Sequence, residues 1–358
     1  MKLLIITQKV DQDDDLLGFF VDWLGEFAKH FERIHVITLA KGRYSLPDHV
    51  FVHSLGKELG RSKLLQLMKF YFLLFKFVPK TDGVFAHMSP LFVLASWPAT
   101  VVYRKKIIFW YLHRSLTLKL KIANRLCYKI VTAAKESLRL RSGKIIEVGH
   151  GIDVQRFHVE RNWELASQQP PRVLSVGRIS EIKDYPTLVR SVEIIKNRLS
   201  GIKVQIVGRP VMKPDFQILE SLKQLISGLN LQTNVELVGF VPYSKLRSYY
   251  ENNYININLT PPGGIDKSVL EGMAAGQFTL TSNTAFRKYF GPYGHVLIFK
   301  HGDPNDLTEK LQNVLLLSAQ QKQEISAFLV RVVLEQHGLK QLIKKISNTI
   351  SDQPFLID

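Results

Sequence analysis

The sequence predicts an α/β fold with two Rossmann-like domains, and three observations support this expectation. Short apolar runs alternate with longer amphipathic segments, which is the βαβ pattern of a parallel sheet. The pattern begins near Leu3 and starts again near Val173, after a polar linker at residues 161–171 that is rich in turn formers. The length of 358 residues also suits two domains, each large enough to bury a core.

Seven strands are expected in the first half of the chain and six in the second. The strands predicted for the first half cover residues 3–7, 34–38, 50–54, 84–86, 107–111, 130–133 and 145–148. Those predicted for the second half cover residues 173–176, 204–207, 235–238, 254–258, 278–281 and 296–299. The first helix carries an apolar stripe that is expected to face the core, formed by Phe19, Phe20, Trp23, Leu24 and Phe27.

The linker places the domain boundary, so we expect domains at residues 1–160 and 161–335. The chain from Asp303 onward is expected to be mostly helical. A final helix within residues 336–358 is expected to cross back to the first domain. The most apolar stretch, residues 64–78, is interrupted by Lys69 and Lys76 and is too short to span a bilayer.

Charge and cysteine content limit the cellular setting. Cys127 is the single cysteine, so no intrachain disulfide can form, and we expect a reducing cytoplasm. The net charge is +17, and residues 104–144 hold twelve basic residues against one acidic residue, Glu136. Such a block indicates an anionic partner, either a membrane surface or a nucleic acid, unless it is a solvated basic face without a partner.

The first chemically informative segment is Gly177-Arg178-Ile-Ser-Glu-Ile-Lys183, which lies between a predicted strand and a predicted helix. Its two cations stand at the carboxyl end of a parallel strand, where open α/β sheets bind ligands. They suit a diphosphate, because fixed cations neutralise the charge that develops as it leaves. The alternative is that both are surface cations of a loop.

The second informative segment, residues 260–276, joins a predicted strand to a helix. Gly263 and Gly264 precede the helix, where exposed backbone N–H groups attract a phosphate. Glu271 lies one turn after Lys267 and could reach a ribose hydroxyl; a carboxylate in an otherwise apolar helix needs a partner. The alternative is that Pro-Pro-Gly-Gly is only a sharp turn.

These segments resemble the GT-B glycosyltransferases, specifically glycosyltransferase family 4. Gly177, Arg178 and Lys183 match the family's phosphate-binding element, and residues 235–242 are similar to its strand and base-contacting turn. Residues 149–157 resemble its hinge segment, with His150 where the family usually has Asn. The resemblance is strong over residues 145–285 and weak in the first domain.

The resemblance implies two Rossmann-like domains that face a central cleft, with the acceptor on the N-terminal side and the donor on the C-terminal side. Arg178 and Lys183 would then be catalytic. The remaining donor-binding residues that it implies in the second domain are Gly177, Gly208, Phe240, Val241, Gly263, Gly264, Ile265, Asp266, Lys267 and Glu271.

The sequence departs from the family at one of two glutamates that are separated by seven residues. Glu271 matches the second, but the first falls on Gly263, which has no side chain to bind a sugar hydroxyl. Asp266 lies three residues further on, near the start of the helix, where a carboxylate is electrostatically favoured. Asp266 is therefore expected either to cap the helix or to accept a hydroxyl of the donor sugar.

Two positions in the first domain are also expected to lie near the substrates. His113 follows a predicted strand, and in the family a histidine at this place lies near the reacting sugar, which implies a catalytic role for His113; a structural role is the alternative. Gly18 ends an acidic loop that replaces the family's glycine-rich loop, and its backbone could approach the donor phosphate. Residues 13–15 are interpreted as solvated charge before a helix, since no Asp-x-Asp metal motif is present.

The expected function is a retaining, metal-independent glycosyltransferase of the hexosyltransferase type, acting in glycan biosynthesis. Its expected partners are a nucleotide-diphosphate sugar, which is a substrate and no cofactor, a glycan or lipid-linked acceptor, and an anionic membrane surface, with no nucleic acid. A peripheral position on the inner face of the membrane follows.

Three other classes of protein are alternatives to this function. A GT-B epimerase or phosphorylase shares the fold. A basic membrane- or nucleic-acid-binding module would leave both motifs without a role. The missing Gly-x-Gly-x-x-Gly turn argues against a nicotinamide-linked oxidoreductase.

Overall fold

The computed structural model describes residues 1–199 and 201–351 as two compact units. The first unit contains residues 1–151 and 242–244 together with the described chain from Gln336 onward. The second unit contains residues 152–241 and 245–335. Each unit is a parallel sheet covered by helices on both faces, which confirms the predicted fold class.

The twelve strands are parallel to their neighbours in both sheets. The first sheet has the order β3-β2-β1-β4-β5-β6-β7 and the second has the order β10-β9-β8-β11-β12. Their bounds are β1 Lys2–Val10, β2 Arg33–Lys41, β3 Val50–Ser54, β4 Gly83–His87, β5 Lys106–Trp110, β6 Lys129–Thr132, β7 Ile145–Glu147, β8 Arg172–Val176, β9 Lys203–Val207, β10 Val235–Gly239, β11 Ile255–Asn258 and β12 Phe278–Thr281.

The α-helices separate consecutive strands, except between β2 and β3 and between β6 and β7, and the remaining α-helices follow β12. Their bounds are α1 Phe20–Ala28, α2 Lys63–Phe77, α3 Pro90–Val102, α4 Leu118–Leu126, α5 Val154–Phe157, α6 Trp163–Ser167, α7 Tyr185–Ile195, α8 Lys213–Gly228, α9 Leu246–Asn252, α10 Lys267–Ala274, α11 Arg287–Phe290, α12 Gly294–Leu297, α13 Pro304–Leu316, α14 Ala319–His337 and α15 Leu339–Ser351.

The sheet of the first unit separates two apolar cores. Alternate side chains of β1 point to opposite faces, so Leu3 and Ile5 enter one core while Leu4 and Ile6 enter the other. Helices α1 and α15 close the first core, and helices α2, α3 and α4 cover the second. Four residues of the predicted stripe are buried, and only Phe19 is partly exposed.

The C-terminal helix α15 belongs to the first unit. Its side chains Leu342, Ile343 and Ile346 are fully buried in the core that contains α1. This periodic face stabilises the helix, because most helical stability in proteins comes from packing an apolar face. The last seven residues of the expected C-terminal segment, 352–358, lie outside the described residues.

The N-terminal stretch of the first unit ends at Gly151, whereas the polar linker predicted the domain boundary near residue 160. Trp23 donates a hydrogen bond from its indole nitrogen to the Gly151 carbonyl oxygen over 3.2 Å, which ties this glycine to the first unit. A few residues later, Phe157 is fully buried with its ring 5.2 Å from that of Tyr250. The segment after Gly151 therefore packs with the second unit.

The strand predicted at residues 296–299 is wrong. Residues up to Leu297 form the helical turn α12, in which the Ile298 amide donates to the Gly294 carbonyl oxygen over 3.1 Å. Only a single bridge, between Thr281 and Ile298, joins this segment to the sheet. A short apolar run suits a buried helix as well as a strand, and here the helical turn forms.

No helix among residues 1–199 and 201–351 combines the length and the apolar character that crossing a membrane requires.

Candidate functional site

Three glycines form the carboxyl-end edge of the second sheet. Gly239 ends β10, and Gly208 and Gly177 directly follow β9 and β8. The Gly208 amide donates to the Gly239 carbonyl oxygen over 2.8 Å. A Cβ atom at Gly208, whose φ is +146°, would lie only 1.9 Å from the Gly177 carbonyl oxygen. Position 208 therefore requires glycine, and this edge is where open parallel sheets bind ligands.

Lys183 lies across this edge. A Cβ atom at Gly177 would lie 2.8 Å from Cε of Lys183 and 3.1 Å from its Nζ, so the lysine stem runs directly over the glycine. Arg178 is exposed in the same loop, and its amide nitrogen is 3.4 Å from the Cβ position of Gly208. The structure thus brings together four of the predicted site residues: Gly177, Arg178, Lys183 and Gly208.

Asp266 is the point where the two predicted segments meet. Its Oδ1 accepts from the Ser268 amide over 3.3 Å and from the Ser268 hydroxyl over 3.2 Å, which caps helix α10. Its Oδ2 accepts from Nζ of Lys183 and, over 3.0 Å, from the amide of Asn258. Asp266 therefore has two roles: its Oδ1 caps helix α10, and its Oδ2 pairs with Lys183.

Electrostatics favour the charged form of Asp266. Burial would raise the pKa of this carboxyl, but the charge and hydrogen bond of Lys183, with the bonds from Asn258 and Ser268, lower it to about 2. The side chains of Asp266 and Lys183 are only 20% and 14% exposed, so the pair is partly shielded from water. The pair is therefore stronger than an ordinary surface ion pair.

Tyr185, the first residue of α7, contacts the glycine edge through its side-chain hydroxyl. Its hydroxyl donates to the Gly177 carbonyl oxygen over 2.9 Å. Burial raises the pKa of this phenol, and the negative charge of Asp266 raises it further. The hydroxyl therefore remains a donor and fixes the carbonyl of the glycine on which Lys183 lies.

The Pro-Pro-Gly-Gly segment is held by one amide side chain. Asn283 accepts from the Gly263 amide over 3.2 Å and donates to the Gly264 carbonyl oxygen over 2.8 Å. Ile265 is buried, which anchors the segment just before Asp266. The turn is thus built into the unit and leads directly to the N-terminus of α10, where phosphate groups bind favourably.

Glu271 lies on α10 and has a hydrogen-bond partner, as expected for a carboxylate within an otherwise apolar helix. Its carboxylate is 4% exposed and accepts from the hydroxyl of Tyr250 over 2.9 Å. Lys267 is the first residue of the same helix and is partly buried. The ribose contact expected of Glu271 stays a prediction.

The segment expected to contact a base follows β10. Phe240 and Val241 are both partly exposed. The guanidinium of Arg209 stands 4.5 Å from the ring centroid of Phe240, which is cation–π distance. Arg209 follows Gly208 directly, so it carries a further cation to the glycine edge.

The two site residues predicted for the first unit occupy loops after β5 and β1. His113 is exposed, three residues beyond the end of β5, and its ring is 5.5 Å from that of Tyr111. A Cβ atom at Gly18 would lie 2.8 Å from the Asp14 carbonyl oxygen, so the loop itself requires glycine there. Neither observation assigns a substrate contact.

Two of the three carboxylates at residues 13–15, those of Asp13 and Asp14, form ion pairs, whereas Asp15 is exposed as the sequence indicated. Lys9 pairs with Asp11 over 3.0 Å and with Asp14 over 2.8 Å, and the Arg43 guanidinium lies 2.7 Å from Asp13. These carboxylates are engaged within the loop, because basic residues of β1 and of the segment after β2 surround it.

The basic block at residues 104–144 is divided by the structure. Lys106 is buried with its ammonium 4.3 Å from the Tyr128 ring, and Lys144 donates to the carbonyl oxygens of Arg125 and Cys127. These two lysines are structural. Eight others are exposed: Arg104, Arg114, Lys119, Lys121, Arg125, Lys135, Arg139 and Arg141.

A cavity of about 800 Å³ lies at the opposite, amino-terminal edge of the second sheet, between Lys203, Thr233 and Tyr249. Open parallel sheets bind ligands at their carboxyl ends, so we do not assign the donor to this cavity.

Sequence reasoning missed several residues that build the site. Asn258, Asn283, Tyr185 and Arg209 supply its hydrogen bonds and a cation. One signal was available: an asparagine within a short apolar strand, as in β11, must find a partner when it is buried.

Comparison with known proteins supports the predicted family and fold. The model of the family "Glycosyl transferases group 1" matches residues 158–348. The Anabaena protein HepE, solved in complex with UDP, superposes with a TM-score of 0.76 at 16% identity, covering 99% of this chain and 100% of that chain. Sucrose-phosphate synthase from Thermosynechococcus elongatus gives 0.75 at 14% identity, covering 98% of both chains.

Two curated relatives share part of their sequence with the chain. A human GDP-Man:Man(3)GlcNAc(2)-PP-Dol alpha-1,2-mannosyltransferase is 24% identical over 166 residues, 43% of this chain and 33% of that protein. The amylovoran biosynthesis glycosyltransferase AmsK of Erwinia amylovora is 29% identical over 133 residues, 35% of this chain and 30% of that protein. The match therefore spans about a third of each relative's length.

Proposed function

The chain belongs to the glycosyl transferases group 1 family, and on that premise we propose that it transfers a sugar from a nucleotide-diphosphate sugar to a glycan or lipid-linked acceptor. The structure of HepE with UDP makes UDP-sugars the first donors to test. The human relative is named for GDP-mannose as donor and a dolichol-linked acceptor, which supports testing GDP-mannose as well.

The observation that carries this proposal is the position of Lys183 above the glycine edge. The lysine stem crosses Gly177, and the absence of a side chain on Gly177 lets Lys183 approach the edge this closely. A diphosphate seated there would meet the ammonium of Lys183 and the guanidinium of Arg178. Such preorganised donors stabilise the charge that develops on a leaving diphosphate.

Asp266 acts as a positioning residue for Lys183 in this proposal. Its carboxylate already accepts four hydrogen bonds, two on each oxygen, from Ser268, Lys183 and Asn258. A carboxylate offers about four acceptor sites, so a sugar hydroxyl would have to displace one of these donors. The observed geometry therefore fits a role of Asp266 in orienting Lys183 better than a role in binding a hydroxyl of the donor sugar.

We further propose that the transfer retains the anomeric configuration and needs no metal ion. The family resemblance supports the retention. The cations of the glycine edge can supply the stabilisation that a metal would otherwise give. The carboxylates of Asp11, Asp13 and Asp14 are occupied by Lys9 and Arg43, which argues against their use as metal ligands.

The proposed location is the inner face of the cytoplasmic membrane. Eight exposed cations within residues 104–144 can bind anionic lipid headgroups, each adding about 1 kcal/mol near the surface. A lipid-linked acceptor would be presented there.

The donor site can be tested by thermal shift and by turnover with UDP-glucose and GDP-mannose. Lys183→Ala and Arg178→Ala should each lower turnover by two to three orders of magnitude, the equivalent of about 3–4 kcal/mol. Lys213→Ala, which removes an exposed lysine of the same unit at the start of α8, serves as the matched control. Wild-type turnover in both site variants would remove the assignment.

The mechanism can be tested on the same preparation. Turnover should persist in a chelator, and the product anomer, read by NMR, should match that of the donor. Loss of activity in chelator that a divalent ion restores contradicts metal independence, and an inverted anomer contradicts retention.

A further inference from the structure

One side of the first unit exposes large apolar side chains along helix α2. The inner face of α2 is buried through Phe70, Leu73, Leu74 and Phe77. The outer face is also apolar, with exposed fractions of 43–67% at Leu64, Leu65, Leu67, Met68, Phe72 and Phe75. A helix that is apolar all round belongs in a protein core or in a membrane, so the outer face of α2 calls for an apolar partner.

Helix α3 extends this apolar surface. It contains no charged residue, and Leu91, Trp97 and Val102 are 50%, 40% and 67% exposed. The rings of Phe75 and Tyr103, 6.4 Å apart, connect the end of α2 with the end of α3. The exposed apolar side chains of the two helices are therefore joined at this contact, and contiguous apolar patches mark interaction sites.

Basic side chains accompany the patch. Helices α2, α3 and α4 contain no acidic residue. Lys63 and Lys76 are exposed on α2, and Lys119, Lys121 and Arg125 are exposed on α4, which packs beside α3. Apolar side chains bordered by lysine and arginine are typical of segments that lie in the interface of an anionic bilayer.

We propose that the outer faces of α2 and α3 insert into the headgroup region of an anionic lipid bilayer, with the cations of α2 and α4 bound to lipid phosphates. Charge complementarity selects this occupant over a second copy of the chain, because two such faces would bring like charges together. The inference rests on the proposed membrane location and not on sugar transfer.

Trp97 provides a built-in reporter for this insertion. The chain has four tryptophans. Trp23 and Trp110 are 1% exposed and Trp163 is 5% exposed, whereas Trp97 is 40% exposed within the patch. A blue shift of the emission on adding vesicles, or quenching by brominated lipid, would therefore report the environment of Trp97, and Trp97→Phe should abolish the signal.

The test uses the full chain with phosphatidylglycerol-containing vesicles and with neutral phosphatidylcholine vesicles. Changing Leu64, Met68 and Phe72 together to Gln alters three side chains that line up at i, i+4 and i+8. This variant should reduce the partition coefficient for anionic vesicles at least tenfold. The matched control changes Met212, Phe216 and Leu316, apolar residues of the second unit that are 58%, 56% and 83% exposed, to Gln and should bind as the wild type does.

A second variant separates insertion from charge. Changing Lys119, Lys121 and Arg125 to Gln should weaken binding mainly at low salt, because electrostatic attraction is screened within about 8 Å at physiological ionic strength. The binding that remains in high salt should depend on Leu64, Met68 and Phe72. If the apolar triple variant binds vesicles like the wild type, insertion is wrong while an electrostatic membrane location stands.

Two other outcomes also overturn the proposal. The proposal is wrong if the protein binds neither type of vesicle. It is also wrong if the protein forms a concentration-dependent dimer that the apolar triple variant abolishes. Thermal stabilisation by UDP, measured on every variant, shows whether the donor site is intact. Loss of vesicle binding with retained UDP stabilisation thus separates a failure of this inference from a failure of the donor-site proposal.

Discussion

Replacing Asp266 with Asn tests the ion pair that joins the two segments of the donor site. The amide keeps the size of the side chain and the oxygen that caps α10, but it removes the negative charge that faces Lys183. The variant therefore separates the charge from the cap, because amides and carboxylates both cap well.

The structure sets the magnitude of the effect. The pKa of Asp266 falls from an ordinary value of 3.8 to about 2, which corresponds to roughly 2–3 kcal/mol of folding free energy. The lowered pKa belongs to the folded state. This stability is therefore fully present above about pH 4 and is lost as the pH falls through 2. At pH 7, Asp266→Asn should lower the free energy of unfolding by about 2–3 kcal/mol.

Urea unfolding of the single variants Asp266→Asn and Lys183→Met and of the double variant isolates the pair. The coupling energy should be about 2 kcal/mol at pH 7 and unchanged at pH 5, since both values lie above the range in which Asp266 titrates. Asp303→Asn is the matched control. Asp303 also caps a helix, but its nearest lysine, Lys300, is 78% exposed and 3.5 Å away, so only a small change is expected.

Kinetics provide a second readout that a purely structural role would not change. Asp266→Asn should raise KM for the donor, because Lys183 loses the partner that orients it. The ratio of rates on UDP-glucose and UDP-galactose, which differ at one ring hydroxyl, should stay constant. A coupling energy below about 0.5 kcal/mol would refute the ion-pair reasoning, and a changed donor ratio would show that Asp266 reads the sugar.

Three further predictions concern other parts of the structure. Gly208→Ala should unfold the second unit or lower its Tm by many degrees, because its Cβ would lie 1.9 Å from a carbonyl oxygen; Gly228→Ala in α8, where nothing lies within 4 Å, should leave Tm unchanged or raise it. Tyr250→Phe should cost about 1–3 kcal/mol in urea unfolding, because buried Glu271 loses its hydroxyl donor. His113→Ala should reduce turnover without changing Tm, since the side chain is exposed; unchanged turnover would make His113 a surface residue.

The fold could be predicted because the signal is local. Strands such as β1 and β8 are apolar runs bounded by polar turns, and their spacing leaves room for one helix each. All seven strands of the first sheet and all five of the second lie where the apolar runs predicted them. The sixth strand expected in the second half, at residues 296–299, was wrong because its short apolar run also suits the helical turn that forms there.

The site could be predicted only in part because its decisive contacts are long-range. Lys183 and Asp266 were both recognised, but they are 83 positions apart, and no local rule states that their side chains meet. The same applies to Asn283, which holds Gly263 from a position 20 residues away. A motif identifies which residues approach a ligand. The residues that orient them, such as Asp266 and Asn283, are brought into contact only by the packing of distant segments.

Helix α2 shows a limit of a different kind. Apart from Gln66 and its three lysines, its sequence is apolar on the inner and the outer face, and apolar content alone predicts a core helix equally well. The distinction depends on whether a further layer covers the outer face, and periodicity within one segment does not contain that information. The structure shows Phe72 66% exposed, one position from buried Leu73. The inner half of α2 stabilises the unit, and the exposed outer half is the surface that we propose binds the bilayer.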